Sequence, residues 1–283
     1  MARPFTLAAV AYDAKVVNIW EGFKTFFAKH GLEFDYILFS NYESQVAAHF
    51  AGMADAAWNS PLAWLQSVEI AKRKKLTAEA IAMRNSDCDL KSLIVVRKDT
   101  HIQRVVDLQG KRIAVGAKDS PQATLIPLEL LAQDGLVAGK DFHVEYFDVL
   151  VGKHGDHIGG ERDAARALAA GKVDAACMID GNYTLFGFEG TINPAAMHIM
   201  AHTENYDHCN FTVLRERRHP DTDKFVKLLL AMDYEDHEVR PLLDMEGLKQ
   251  WVPGRTTHYA MLESAVKRFG TIENFVSEVA AKN

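Results

Sequence analysis

The chain predicts an α/β fold in two lobes, and three observations carry that reading. Its 283 residues, 48% apolar and 25% charged, are enough to bury two medium cores. Apolar runs of strand length alternate with stripes of helical period, the pattern that builds parallel sheets joined by crossover helices. Two such cycles follow one another, and a helical tail closes the chain.

Residues 5–11 are a continuous apolar run, as expected of a strand covered on both faces. Val16, Ile19, Trp20, Phe23, Phe26 and Phe27 then recur at helical spacing, and Gly31 suits the C-cap of that helix. Strands are expected at 36–39 and near Trp58, followed by a helix from Pro61 whose end carries Lys72-Arg73-Lys74-Lys75, charges that complement its dipole. Residues 93–96 are a β-branched strand. After it come a turn at Asp107-Leu108-Gln109-Gly110, a strand at 111–115, a helix from Pro121 and a strand at 144–148. A helix over 162–170 leads into a strand at 173–179, where Cys177 reads as a small core residue. Strands at 198–201 and 211–214 precede a helical tail, with apolar stripes at Phe225, Val226, Leu229, Leu230 and at Tyr259, Leu262, Ala265, Val266, Phe269.

Composition removes several function classes. A net charge of −6 has the wrong sign for a general binder of nucleic acid or anionic membrane. Cys88, Cys177 and Cys209 are too few and too scattered for a disulfide framework or a CxxC zinc site. No apolar run approaches the roughly 18 residues of a membrane span. The start, Met1-Ala2-Arg3-Pro4 with residues 5–11 running into Tyr12-Asp13, lacks the pattern of a secretory leader. The chain is therefore expected to be cytoplasmic, or periplasmic or otherwise exported with its leader removed. GxGxxG, Walker, GxSxG and HExxH motifs are all absent, which lowers the prior for dehydrogenase, nucleotide hydrolase, serine hydrolase and zinc protease.

One segment carries a mechanism. In Lys118-Asp119-Ser120-Pro121-Gln122, Ser120 is an N-cap and Pro121 a first helical residue, placed just after a strand. Backbone N–H groups at such a helix start favour an anion, although the same pattern serves an ordinary capped helix.

The run 107–115, then Ser120, Leu130-Leu131, Gly135-Leu136, Gly152, His154, the stretch 167–176 and Met232-Asp233 resemble the phosphonate-binding (PhnD-like) substrate-binding proteins of ABC transporters. The likeness runs from about residue 5 to residue 269. It implies a type II periplasmic-binding-protein fold: two α/β lobes, 1–97 with 205–283 and 98–204, joined by two hinge crossings and closing on a ligand.

Carried over position by position, the hydroxyl-rich helix start of the family falls on Ser120-Pro121-Gln122-Ala123-Thr124, where Ser120 is the residue that matches, Gln122 and Thr124 are further ligand candidates, and Pro121 costs one backbone donor. The family's Gly-Ser-His segment falls on Gly152-Lys153-His154, and the stretch to Glu161, which includes His157, is longer than the family pattern. A first-lobe loop falls on Trp58-Asn59-Ser60, and Asp180 takes the place of an acidic ligand partner. Trp58, Tyr12 and Tyr183 are candidates to wall an ammonium group.

His154, His157, His208 and Cys209 are weak candidates for a metal, without a recognised spacing, so no cofactor is assigned. Asp156, Glu161, Asp163 and Asp180 add negative potential that a zwitterion, an aminophosphonate or amino acid, satisfies better than a bare oxyanion. The resemblance thus implies a solute-binding protein for a small anionic or zwitterionic ligand, partnered by an ABC permease if exported. The alternative is an enzyme on the same fold, a decarboxylase or lyase with His154 or His208 as acid–base group.

Overall fold

The computed structural model describes residues 3–156 and 158–282, so His157 lies outside the described residues. The strands in chain order are β1 (Phe5–Val10), β2 (Phe34–Phe39), β3 (Ala56–Asn59), β4 (Ala78–Arg84), β5 (Ser92–Arg97), β6 (Arg112–Val115), β7 (His143–Tyr146), β8 (Ala175–Ile179), β9 (Met197–His202), β10 (Asn210–Leu214) and β11 (Trp251–Pro253). The helices are α1 (Lys15–Lys29), α2 (Tyr42–Phe50), α3 (Pro61–Arg73), α4 (Ile126–Gln133), α5 (Gly159–Ala169), α6 (Asp180–Phe188), α7 (Thr222–Leu230), α8 (Arg240–Glu246), α9 (Ala260–Phe269) and α10 (Glu273–Ala281).

Two compact units result. The first comprises the described parts of Met1–Cys88, Asp207–Thr257 and Ile272–Asn283; the second is Asp89–Tyr206 with His258–Thr271. The sequence placed the boundaries at 97/98 and 204/205. Strand β5 falls instead in the second unit because it pairs with β8 and β9. Helix α9 joins it through Glu129, whose carboxylate accepts from Arg268 Nε at 2.6 Å and Ser264 Oγ at 2.6 Å. Helix α10 returns to the first unit, where Arg73 pairs with Glu273 at 2.8 Å. The chain therefore makes two passages between units beyond the two expected.

The first sheet has the order β11-β4-β10-β3-β1-β2 and the second β7-β6-β8-β5-β9. Both are mixed rather than all-parallel. β1, β2 and β3 run parallel, as do β6, β7 and β8, because helices cross over between them. β10 enters antiparallel to β3, and β5 antiparallel to β8. Both follow a passage between units without a crossover helix, so the rule that keeps βαβ strands parallel does not apply.

The first core is aromatic: Phe5 stacks on Phe225 at 4.5 Å, and Phe27 lies 4.8 Å from Phe34. The α1 stripe supplies Val16, Ile19, Trp20, Phe23 and Phe27 to it. The second sheet is covered on both faces by strict alternation. Leu93, Val95, Ala176 and Met178 face one cluster, while Ile94, Val96, Ala175 and Cys177 face the other. Burial pushes the Cys177 thiol up to about 12, as an inert core thiol should behave.

His49 of α2 is buried, and its Nδ1 has no hydrogen-bond partner. Burial pushes its imidazole from 6.5 down to about 4, with Asp55 opposing and Arg217 adding. The unfolded chain thus binds a proton that the folded chain refuses. This stability is complete above pH 6.5 and is lost as pH falls toward 4, amounting to about 3 kcal/mol. Urea titrations at several pH values should show that loss in the wild type and a flatter acid limb in His49→Leu.

Candidate functional site

Ligands of open α/β sheets sit at the carboxyl ends of parallel strands where the strand order reverses. In the first sheet β1 is flanked by β2 and β3, and in the second β6 is flanked by β7 and β8. The topology therefore selects Tyr12 and Asn59-Ser60 in one unit, and the loop to Ser120 together with Asp180 in the other.

In the second unit the chain leaves β6 through Gly116 and enters a helical segment at Pro121. Its first turn, Pro121–Leu125, is π-helical and runs on into α4. Ser120 Oγ accepts from the Ala123 N–H at 3.2 Å, so the N-cap expected from sequence forms. The Thr124 hydroxyl donates back to the Ala117 carbonyl at 2.8 Å and closes the loop on itself. Ser120, Gln122 and Thr124 are all buried.

Gln122 reaches sideways. Its Nε2 donates to the Gly155 carbonyl at 2.8 Å and to Glu161 Oε1 at 3.2 Å. Its own carbonyl accepts from Ser92 Oγ at 2.5 Å, and that hydroxyl also bonds to the Tyr206 hydroxyl at 2.8 Å. Glu161, in the first turn of α5, is buried; its Oε2 accepts from the Ile179 N–H at 3.0 Å and from Asn182 Nδ2 at 2.9 Å. One carboxylate therefore ties the Ser120 loop to the end of β8 and the start of α6.

The segment 150–156 folds over this arrangement through left-handed residues: Leu150 (φ 55°), Gly152 (φ 91°), His154 (φ 48°) and Gly155 (φ 79°). Gly152 donates its N–H to Asp119 Oδ2, and Lys118 donates its N–H to Asp148 Oδ1 at 2.7 Å. His154 is fully buried. A left-handed conformation at a residue with a Cβ persists only where the surroundings impose it.

Asp180 opens α6, half-buried, with its N–H on the Lys91 carbonyl at 3.0 Å. Negative potential reaches deep here: burial raises the Tyr206 phenol well above its ordinary range, and Glu161 and Asp180 push it further. Tyr183 packs half-buried against one of the unit's cores.

In the first unit, Ser60 repeats the motif of Ser120. It caps α3 by accepting from the Ala63 N–H at 3.1 Å, with Pro61 in the first turn. Tyr12 lies half-buried past β1, with Lys15 Nζ 5.8 Å from its ring centre. Trp58 turns inward: its ring lies 4.6 Å from Phe211 and 5.7 Å from Trp251 in the aromatic core, with the Arg84 guanidinium 5.2 Å from its centre.

Asn59 is drawn into a buried polar network. Its Nδ2 donates to Thr212 Oγ1 at 2.9 Å and Ser67 Oγ at 3.2 Å, and its Oδ1 accepts from Gln45 at 2.8 Å. The first turn of α2 brings Tyr42 and Glu43 to the same strand ends, where Gln66 Nε2 approaches Glu43 Oε1 at 3.4 Å. These two, like Glu161 in its bridging role, are not singled out by any sequence motif.

His208 and Cys209 also lie in the first unit, whereas His154 belongs to the second. His208 Nδ1 is 3.1 Å from Cys209 Sγ and 3.4 Å from Asp87 Oδ1. Asp87 also receives Arg84, Nε to Oδ2 at 2.5 Å and Nη2 to Oδ1 at 2.9 Å. Burial pushes Asp87 up, but Arg84 and His208 outweigh it and hold the carboxyl below its usual range. Ligand atoms from Asp87, His208 and Cys209, one from each, lie within 4.8 Å of one another, a buried set that could hold a metal ion, and Arg84 pairs with Asp87 at the same place. No helix among the described residues is long and apolar enough to cross a membrane.

Comparison with known proteins adds to this geometry. The family described as "ABC transporter, phosphonate, periplasmic substrate-binding protein" matches residues 5–259. Among solved structures, PhnD1 from Prochlorococcus marinus (MIT 9301) in complex with methylphosphonate is similar over 95% of this chain and 98% of that one, at 19% identity and a TM-score of 0.68. A binding-protein component of an ABC phosphonate transporter from Pseudomonas aeruginosa covers 99% of this chain and 96% of its own, at 13% identity and TM-score 0.62. The periplasmic aliphatic sulphonate-binding protein SsuA from Escherichia coli covers 100% and 95%, at 14% identity and TM-score 0.58. At these identities the structures establish the shared fold.

Proposed function

The chain belongs to the family of periplasmic substrate-binding proteins of phosphonate ABC transporters, and on that premise we propose that it captures a small organic oxyanion for delivery to an ABC permease. The observation that carries this reading is the Ser120 helix entry: a capped helix start at the switch point of the second sheet, covered by the 150–156 turns. Ser120 and the first turn hold the oxyanion, and His154 reaches it from the covering segment. Asp180, with Glu161 near, favours a ligand that also carries a cationic end, such as an aminophosphonate. Exported, periplasmic placement accompanies this function. The family supports binding rather than turnover, and His208, engaged with Cys209 and Asp87, stays within the first unit's polar cluster.

Isothermal titration with methylphosphonate and 2-aminoethylphosphonate tests the reading. Wild-type protein binds both, the zwitterion more tightly. Ser120→Ala weakens binding by about tenfold or more while costing about 1 kcal/mol of stability through the lost cap. Unchanged affinity in Ser120→Ala removes the helix entry from the site, and tighter binding of methylphosphonate removes the zwitterion. Ligand consumed on prolonged incubation replaces the receptor with an enzyme.

A further inference from the structure

We propose that Pro127 and Ser92 hold the Ser120 helix entry in its π turn, and that this turn releases the Thr124 N–H as a donor to the bound oxyanion. The inference rests on the binding role assigned above to that helix entry.

In an α-helix capped at Ser120, the Ser120 carbonyl would accept from Thr124, one α-turn ahead. It accepts instead from the Leu125 N–H at 3.0 Å, one residue further on. The Ile126 N–H repeats the step by donating to the Pro121 carbonyl. One donor of the first turn thereby gives up its usual acceptor, and it is the Thr124 N–H. The Thr124 hydroxyl does not take its place at the ligand, because it donates to the Ala117 carbonyl at 2.8 Å. Thr124 is 1% exposed, and a backbone donor out of reach of water calls for an acceptor. Pro121 lacks an N–H at the first helical position, so the π turn restores at Thr124 the donor that the proline removes.

Two features keep the turn wide. A return to α register would set the Ile126 N–H on the Gln122 carbonyl and the N–H of residue 127 on the Ala123 carbonyl. The first acceptor is occupied, since Ser92 Oγ donates to the Gln122 carbonyl at 2.5 Å. The second bond cannot form: Pro127 has no N–H, and a proline ring crowds the carbonyl one α-turn behind it. The Ala123 carbonyl turns instead to the Gly116 N–H, 3.2 Å away, where the chain leaves β6. That approach depends on glycine, because a Cβ on Gly116 would lie 2.8 Å from Ala123 Cβ. Ser92 and Pro127 are thus positioning residues that act through the Thr124 backbone, and single π turns of this kind recur at functional sites.

The test joins NMR of protein carrying isotope-labelled threonine to calorimetric titration with methylphosphonate and methanesulfonate. In the wild type, saturation with either ligand moves the Thr124 amide proton downfield and slows its exchange with solvent. Ser92→Ala combined with Pro127→Ala frees both carbonyls for an α turn. The double variant should lose the Thr124 response and bind about tenfold or more weakly, the effect of one lost hydrogen bond to a charged ligand. A Thr124 signal that stays put in saturated wild type overturns the donor assignment while the binding site stands, and this arm needs no variant to fold. A Thr124 response that survives in the saturated double variant, whatever its affinity, overturns the roles of Ser92 and Pro127. Failure of the wild type to bind either probe overturns the binding reading and this inference with it.

Discussion

Gly155→Ala should abolish oxyanion binding, at least a hundredfold by titration with methylphosphonate, while leaving the protein folded. A Cβ at this position would lie 2.3 Å from Ser120 Oγ, 2.9 Å from Ser120 Cβ and 2.6 Å from Gln122 Nε2, distances no packed side chain tolerates. The backbone also sits at φ 79°, where an L-residue with a Cβ costs roughly 1–2 kcal/mol. Neither contact yields freely. Rotating Ser120 breaks its cap on the Ala123 N–H, and moving Gln122 breaks its bonds to Gly155 and Glu161. The collision is relieved by lifting the 150–156 turns off the helix entry, which carries His154 away with them.

Gly139→Ala is the matched control. It has a similar φ of 76° but nothing within 4 Å of the added methyl, so it should lose a little stability and no affinity. Wild-type binding in Gly155→Ala would show that the 150–156 segment does not cover the ligand.

The fold was legible where strands are apolar runs. β1, β5, β6 and β8 announce themselves because a strand buried on both faces has no polar side to interrupt it. β4, Ala-Glu-Ala-Ile-Ala-Met-Arg, carries no such mark, since its residues are better helix formers than strand formers and only its place beside β10 makes it a strand. Strand direction was hidden for the same reason. β5 and β10 run antiparallel because of how the chain enters each sheet, which no local pattern records.

In the candidate site, Ser120 was readable because a Ser-Pro helix entry is local chemistry. Trp58 was not: a four-residue strand fixes no phase, and the ring turned to the core beside Phe211. Asn59 was drawn inward by Thr212, which is 153 residues away, and Glu161 acquired its role from Gln122, 39 residues away. Bridging of this kind is a property of the assembled sheet.

The largest stability effect is expected at Arg84. This guanidinium is 18% exposed and stands between two nearly buried carboxylates, Asp87 at 2.5 Å and Glu246 at 3.7 Å, while its carbonyl-directed Nη1 bond to Glu246 at 2.9 Å holds the end of α8. It also covers Trp58 at 5.2 Å. Arg84→Met keeps most of the packing volume and takes the guanidinium charge from between Asp87 and Glu246, leaving Asp87 its 3.4 Å contact with His208 Nδ1. Breaking a buried pair in this way costs about 3–5 kcal/mol, far more than the pair itself contributes, because the remaining charge cannot reach water. Arg84→Lys should recover part of the loss: an ammonium restores the charge but not the two parallel bonds to Asp87. The pH dependence identifies the cause. Asp87 is held below its ordinary 3.8, so its contribution is present above that value and lost as pH falls through the folded-state value. The gap between wild type and Arg84→Met in urea denaturation should therefore be widest near neutral pH and narrow only in acid, as pH falls through the lowered value at which folded Asp87 takes up its proton. A gap that stays constant with pH would mean that Arg84 acts by filling space against Trp58 rather than by balancing charge.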